Sequence, residues 1–253
     1  MRDYLYVSVS GEDRIAVFGM DDKNGRLEHI FDLDVPDKPY PLAIDPHKRY
    51  LYVGRLDTNE ISSFEIDNKT GRIHPLGDVG LDSAPCYLST DRTGRYMLSA
   101  CYESGEVAVH SIMGNGAVGD LLVGPNELGY GAHCIQTDPS NRFAYVSCVA
   151  GESGANAVFQ FRFDVLKGNL IPNRPAMLTP DGKHGPRHFC FHPKRDFVYF
   201  TNEQGCSVSA YHFDYESGVL ESFQTVSTLP EGYTCENTCS QIQISPSGKF
   251  LYA

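Results

Sequence analysis

Residues suited to binding an anion and moving a proton gather in one short run and one position before it. The run is GPRHFCFHPKRDFVYFTNE, residues 185–203, which carries Arg187, His188, His192 and Glu203. His133 lies upstream in GAHCIQTDPSNRFAYV. A guanidinium is a planar, permanently charged fork that holds a phosphate or carboxylate in two-pronged fashion or stabilises a developing oxyanion. A carboxylate or a neutral imidazole within hydrogen-bond reach of water takes its proton. An Arg–Glu pair is also a common structural contact, so residue types alone leave both roles open. The elements that position these side chains decide between them.

Those elements repeat. DPHKRYLYVG at 45, DRTGRYMLSA at 91, DPSNRFAYVS at 138, HPKRDFVYFT at 192 and SPSGKFLYA at 245 each pair a turn with an aromatic-rich strand. Further strands such as EISSFEID, EVAVHSI, NAVFQFRF and SVSAYHF follow most of them. The strands are short, β-branched and aromatic, and no long segment has a helical period. One strand position recurs at Tyr6, Tyr52, Leu98, Tyr145, Tyr199 and Tyr252, in steps of 46, 46, 47, 54 and 53 residues. Four short strands in each such step form a propeller blade, which buries its faces by stacking on its neighbours. The chain contains no Trp, which argues against the WD type of propeller. The expectation is one all-β domain over residues 1–253, about five blades and the beginning of another, ending at GKFLYA in mid-strand and therefore C-terminally incomplete.

Superposing the repeats places the candidate residues. Five positions before each turn residue stand Tyr40, Cys86, His133, Arg187 and Ser240, at the start of the innermost strand. Four positions after the recurring strand position stand Ser10, Leu56, Tyr102, Val149 and Glu203. Antiparallel pairing returns that second position beside the first. Glu203 is thus predicted next to Arg187, with His133 equivalent to Arg187 in the adjacent blade and all three at one end of the channel. Tyr102 either lines the same mouth or packs there. His192 fills a turn position held elsewhere by Asp or Ser and reads as structural. Strand alternation sends His188 to the side opposite Arg187, to pack between blades.

Composition narrows the partners. The net charge of -11 disfavours nucleic acid, whose phosphates need a basic surface. No apolar run is long enough to span a bilayer, and the first residues read as a strand, so a cytoplasmic location and no membrane partner are expected. Several of the eight cysteines sit inside apolar runs, where a thiol packs as a small hydrophobe; Cys235 and Cys239 alone make a poor zinc signal.

GPRHFCFHPKRDFVYFTNE resembles the GPRH…FHP…Y…NE signature of the seven-bladed propeller lactonase family, and KRYLYVG, STDRTGRYML, GAHCIQTDPSNRFAYV and QIQISPSGKFLYA fall in that family's order. The resemblance covers essentially the whole chain. It implies a seven-bladed β-propeller and a catalytic trio of His133, Arg187 and Glu203. A further family arginine would fall four residues beyond Tyr252. The implied activity is hydrolysis of a sugar-derived lactone, foremost 6-phosphogluconolactone in the pentose phosphate pathway, with no cofactor and no metal. The substrate is then a small anionic lactone, contacted by Arg187, Tyr102 and His188. Arg187 binds the anion, and either Glu203 or His133 transfers the proton. Lactonisation of a carboxylated muconate and a non-catalytic binding scaffold are the alternatives.

Overall fold

In the computed structural model, which describes residues 3–151 and 153–253, the turn residues of the repeat act through their side chains. One carboxylate oxygen of Asp138 accepts the backbone N–H groups of Arg142 and Phe143, both at 2.8 Å, and the other accepts that of Ser140 at 2.7 Å. Asp91 repeats the pattern with Arg95, Tyr96 and Thr93. A short acceptor that satisfies donors two to five residues on closes the turn and aims the chain into the next strand. His192 does part of the same work, its Nδ1 accepting the N–H of Lys194 at 3.0 Å. His192 is therefore a turn residue, as its position in the repeat implies.

The strands form sequential antiparallel meanders. β1 (Asp3–Val9), β2 (Arg14–Met20) and β3 (Leu27–Asp34) make a three-stranded sheet. β4 (Pro39–Ile44), β5 (Tyr50–Arg55), β6 (Glu60–Ile66) and β7 (Ile73–Gly80) make a four-stranded one. So do β8 (Tyr87–Thr90), β9 (Tyr96–Cys101), β10 (Glu106–Ile112) and β11 (Val118–Glu127). The next four-stranded sheet is β12 (Ala132–Thr137), β13 (Phe143–Cys148), β14 (Ala157–Asp164) and β15 (Asn169–Leu178). Another is β16 (Pro186–Phe191), β17 (Phe197–Asn202), β18 (Ser207–Phe213) and β19 (Leu220–Ser227), and β20 (Gln243–Ile244) pairs with β21 (Leu251–Tyr252). This is the all-β, four-strand repeat expected of propeller blades. By contacts the chain divides into two units, residues 1–99 with 109–121 and residues 100–108 with 122–253.

Within each unit, the recurring tyrosine ties one sheet to the hairpin of the next. In the first unit the hydroxyls of Tyr6 and Tyr52 donate to the carbonyls of Gly71 and Gly116 at 2.9 and 3.0 Å. In the second, Tyr145 donates to Gly218 at 2.6 Å. Gly218 turns the β18–β19 hairpin at φ +71°, and a Cβ there would stand 2.2 Å from the Phe143 ring, so both backbone and space demand glycine. The first unit buries Tyr6, Ile15, Val17, Leu51 and Val53 in one cluster and Tyr52, Ile61, Leu88 and Met97 in another. In the second unit Tyr145, Phe189, Phe191 and Phe213 meet largely edge to face.

Candidate active site

The candidate residues lie in the second unit, at the entrances of β12 and β16. Both strands begin with an irregularity in the ladder: pairing with β13 shifts between Ala132 and Cys134, and pairing with β17 shifts between Pro186 and Phe189. His133 occupies the first bulge; Arg187 and His188 occupy the second. A bulge breaks the two-residue alternation of side chains and re-aims them. The first unit has the same device in β4, between Pro39 and Leu42, around Tyr40.

A repeated backbone bond brings the second candidate position back to the bulge. Glu203 N–H donates to Gly185 C=O at 2.7 Å, as Val149 does to Gly131 at 2.9 Å and, in the first unit, Leu56 to Lys38 at 3.2 Å. Glu203 thereby returns beside Arg187. Arg187 Nε donates to Glu203 Oε2 at 2.8 Å, with side-chain exposures of 14% and 20%. Arg187 Nη1 donates to Ser240 Oγ at 3.0 Å, and Ser240 is the residue at the equivalent position of the next repeat. Among the described residues no hydrogen bond reaches Nη2, so one prong of the fork remains for a ligand.

His133 is buried. Burial, then the neighbouring Arg187 charge, pulls its pKa down to about 4. The same two causes, in the same order, pull His188 down to about 3. Both imidazoles are neutral at pH 7. Their rings meet edge to face with centroids 5.0 Å apart, and His188 Nδ1 lies 2.7 Å from Gln241 Oε1. His188 packs between neighbouring sheets, as expected. The bulge that it shares with Arg187 places its ring against His133.

Tyr102 joins the group. Its ring meets that of His133 at 5.6 Å and that of Tyr130 at 4.9 Å. Its hydroxyl pKa is pushed up to about 12, chiefly by burial, then by a hydrogen bond with Tyr130, with the Glu203 charge contributing. The expected residues His133, Arg187, Glu203, Tyr102 and His188 are thus all assembled. Tyr130, Gln204 and Gln241 were not anticipated. Tyr130 stands between Gly129 and Gly131, a Gly-Tyr-Gly run just before His133 that marks a side chain presented from a tight turn. Gln204 adjoins Glu203 and carries no signal of its own. Among the described residues no group of three or more His, Cys, Asp or Glu is placed to hold a metal ion, and no helix is long and apolar enough to cross a membrane.

Residues 5–253 match the family model described as lactonase, 7-bladed beta-propeller. This chain belongs to that family. A 6-phosphogluconolactonase of Pectobacterium carotovorum subsp. carotovorum is 35% identical over 156 residues, which are 61% of this chain and 45% of that protein. A 6-phosphogluconolactonase of Klebsiella pneumoniae is 29% identical over 252 residues, 100% of this chain and 60% of that protein. The chain thus spans about half the length of the curated relatives that it matches. Among solved structures, the periplasmic gluconolactonase of Pseudomonas aeruginosa superposes with a TM-score of 0.85 at 23% identity, covering 99% of this chain and 74% of that one. A protein of Lactobacillus plantarum superposes with a TM-score of 0.86 at 23% identity, covering 100% and 75%. These structural likenesses concern the fold; family membership rests on the sequence match.

Proposed function

We propose that the protein is a lactonase that hydrolyses a sugar-derived lactone, with 6-phosphogluconolactone as the substrate and the pentose phosphate pathway as the context. The observation that carries the reading is the 2.8 Å contact of Arg187 with Glu203 beside a buried, neutral His133. Relatives named 6-phosphogluconolactonase, at 29–35% identity, support the substrate.

Glu203 is the general base. Its carboxylate is less buried than the His133 ring and is the group assigned to take the proton leaving the attacking water. The water oxygen bonds to the ring carbonyl carbon, and the carbonyl oxygen gains negative charge. The open prong of Arg187 meets that charge or the substrate's phosphate. The carbonyl re-forms as the C–O bond of the ring breaks, and the ring oxygen leaves as a hydroxyl by taking the proton that Glu203 accepted from the water, which restores the carboxylate. Neutral His133, Tyr102 and His188 border the sugar ring. A sugar phosphate as substrate accords with a cytoplasmic location.

The test is hydrolysis of 6-phosphogluconolactone by the full-length protein, coupled to oxidation of the 6-phosphogluconate formed, with spontaneous ring opening subtracted. Unphosphorylated gluconolactone is assayed beside it. Turnover that Glu203→Gln removes is the expected result. A rate no higher than the spontaneous one with both lactones overturns the assignment.

A further inference from the structure

Glu203 is held from two sides. Arg187 binds Oε2, and Gln204 Nε2 donates to Oε1 at 3.0 Å. The orientation of the Gln204 amide follows from the chain itself. Its Oε1 lies 3.0 Å from the backbone nitrogen of Ala150, which can only donate. The amide oxygen must therefore face Ala150, and the NH2 group must face Glu203. A carboxylate in place of this amide would bond Ala150 with one oxygen and confront Glu203 with the other. A thioether or alkyl chain would serve neither contact.

Room for the amide depends on Gly185. Its φ is +69°, and a Cβ built there would lie 1.7 Å from Gln204 Oε1 and 2.9 Å from the Ala150 nitrogen. The Gly185 N–H donates to Asn156 Oδ1 at 2.8 Å, and its carbonyl accepts the Glu203 N–H at 2.7 Å. Gly185 is thus the point where the Ala150 backbone nitrogen, the Asn156 side chain, the start of β16 and the Glu203 turn come together, with no side chain of its own in the way.

We infer that Gln204 is a positioning residue: its amide, oriented by the Ala150 N–H and admitted by Gly185, holds the Glu203 carboxylate in line with Arg187. The inference rests on the reading of Glu203 as the base. Fixing Oε1 keeps the carboxylate from rotating away.

The test uses full-length protein, with kcat and KM measured from pH 5 to 8. Gln204→Met is expected to lower kcat about tenfold while KM stays within about twofold, the pattern of a lost transition-state orientation. Gln204→Glu is expected to lower kcat at least as much at pH 7 and to move the acid limb of the kcat profile up by about one pH unit, through like-charge coupling to Glu203. Wild-type kcat and an unmoved profile in both variants would overturn the inference. An activity-free measurement separates it from the lactonase reading. The side-chain amide protons of Gln204, followed by NMR, are expected to shift as Glu203 titrates, and that titration is expected to vanish in Glu203→Gln. Without lactone turnover in the wild type, the lactonase reading falls and the amide titration still decides the coupling. Amide signals indifferent to Glu203→Gln would sink the coupling whatever the activity.

Discussion

Arg187 and Glu203 stand 16 residues apart in sequence and 2.8 Å apart in the structure, Nε to Oε2. The guanidinium also reaches Ser240, so one side chain spans two successive repeats. Arg187→Ala should lower kcat/KM for 6-phosphogluconolactone at least about tenfold, mainly by raising KM, since a charge-assisted hydrogen bond contributes about 2 kcal/mol. Arg187→Lys should recover little of it, because a point charge cannot serve Glu203, Ser240 and an anion at once. Steady-state kinetics of both variants check this; full recovery by lysine would reduce the role of Arg187 to charge alone.

Glu203→Gln should cut kcat by about 10²- to 10⁴-fold, the usual worth of a positioned base. The fold should persist, since glutamine still accepts from Arg187. Circular dichroism with single-turnover assays separates the two effects. A kcat near wild type would transfer the base role elsewhere, His133 first.

Buried His133 and half-buried His188 make acid sensitivity predictable. Their pKa values of about 4 and about 3 lie below the ordinary 6.5. Between the folded and ordinary values the unfolded chain binds protons that the folded chain does not. The stability they allow is complete above about pH 6.5 and declines as the pH falls towards 4 for His133 and 3 for His188. Each contributes a slope of up to about 1.4 kcal/mol per pH unit within its window. Urea melts at pH 7 and pH 5 should show a smaller acid loss in His188→Gln than in wild type. Equal losses would contradict the burial of a neutral ring.

Tyr145→Phe should cost about 1–2 kcal/mol of stability, because the Gly218 carbonyl loses its buried donor. The lactone KM should not change. Denaturant titration beside kinetics tests both halves, and an unchanged midpoint would show that the Tyr145–Gly218 bond contributes nothing net.

Much of this was legible from local chemistry. Asp138 caps its turn with side-chain oxygens that reach donors two to five residues away, and Tyr145 belongs to an apolar strand buried along its whole length. Such patterns recur in sequence because the contacts they encode are short-range, so counting repeats was enough to bring His133, Arg187 and Glu203 to equivalent or adjacent places. The packing of His188 between sheets was legible too, but the ladder irregularity that brings its ring onto His133 was not.

The sequence by itself thus determined the all-β repeat, the family and the types of group in the site. The tertiary structure decided which atoms meet. Gln204 is oriented by a backbone N–H 54 residues earlier, and the ring of His188 settles between His133 and Gln241. Those choices depend on how one sheet lies against the next: separations of 54 and 53 residues match the repeat steps, but a repeat relates equivalent positions and does not say which side-chain atoms meet.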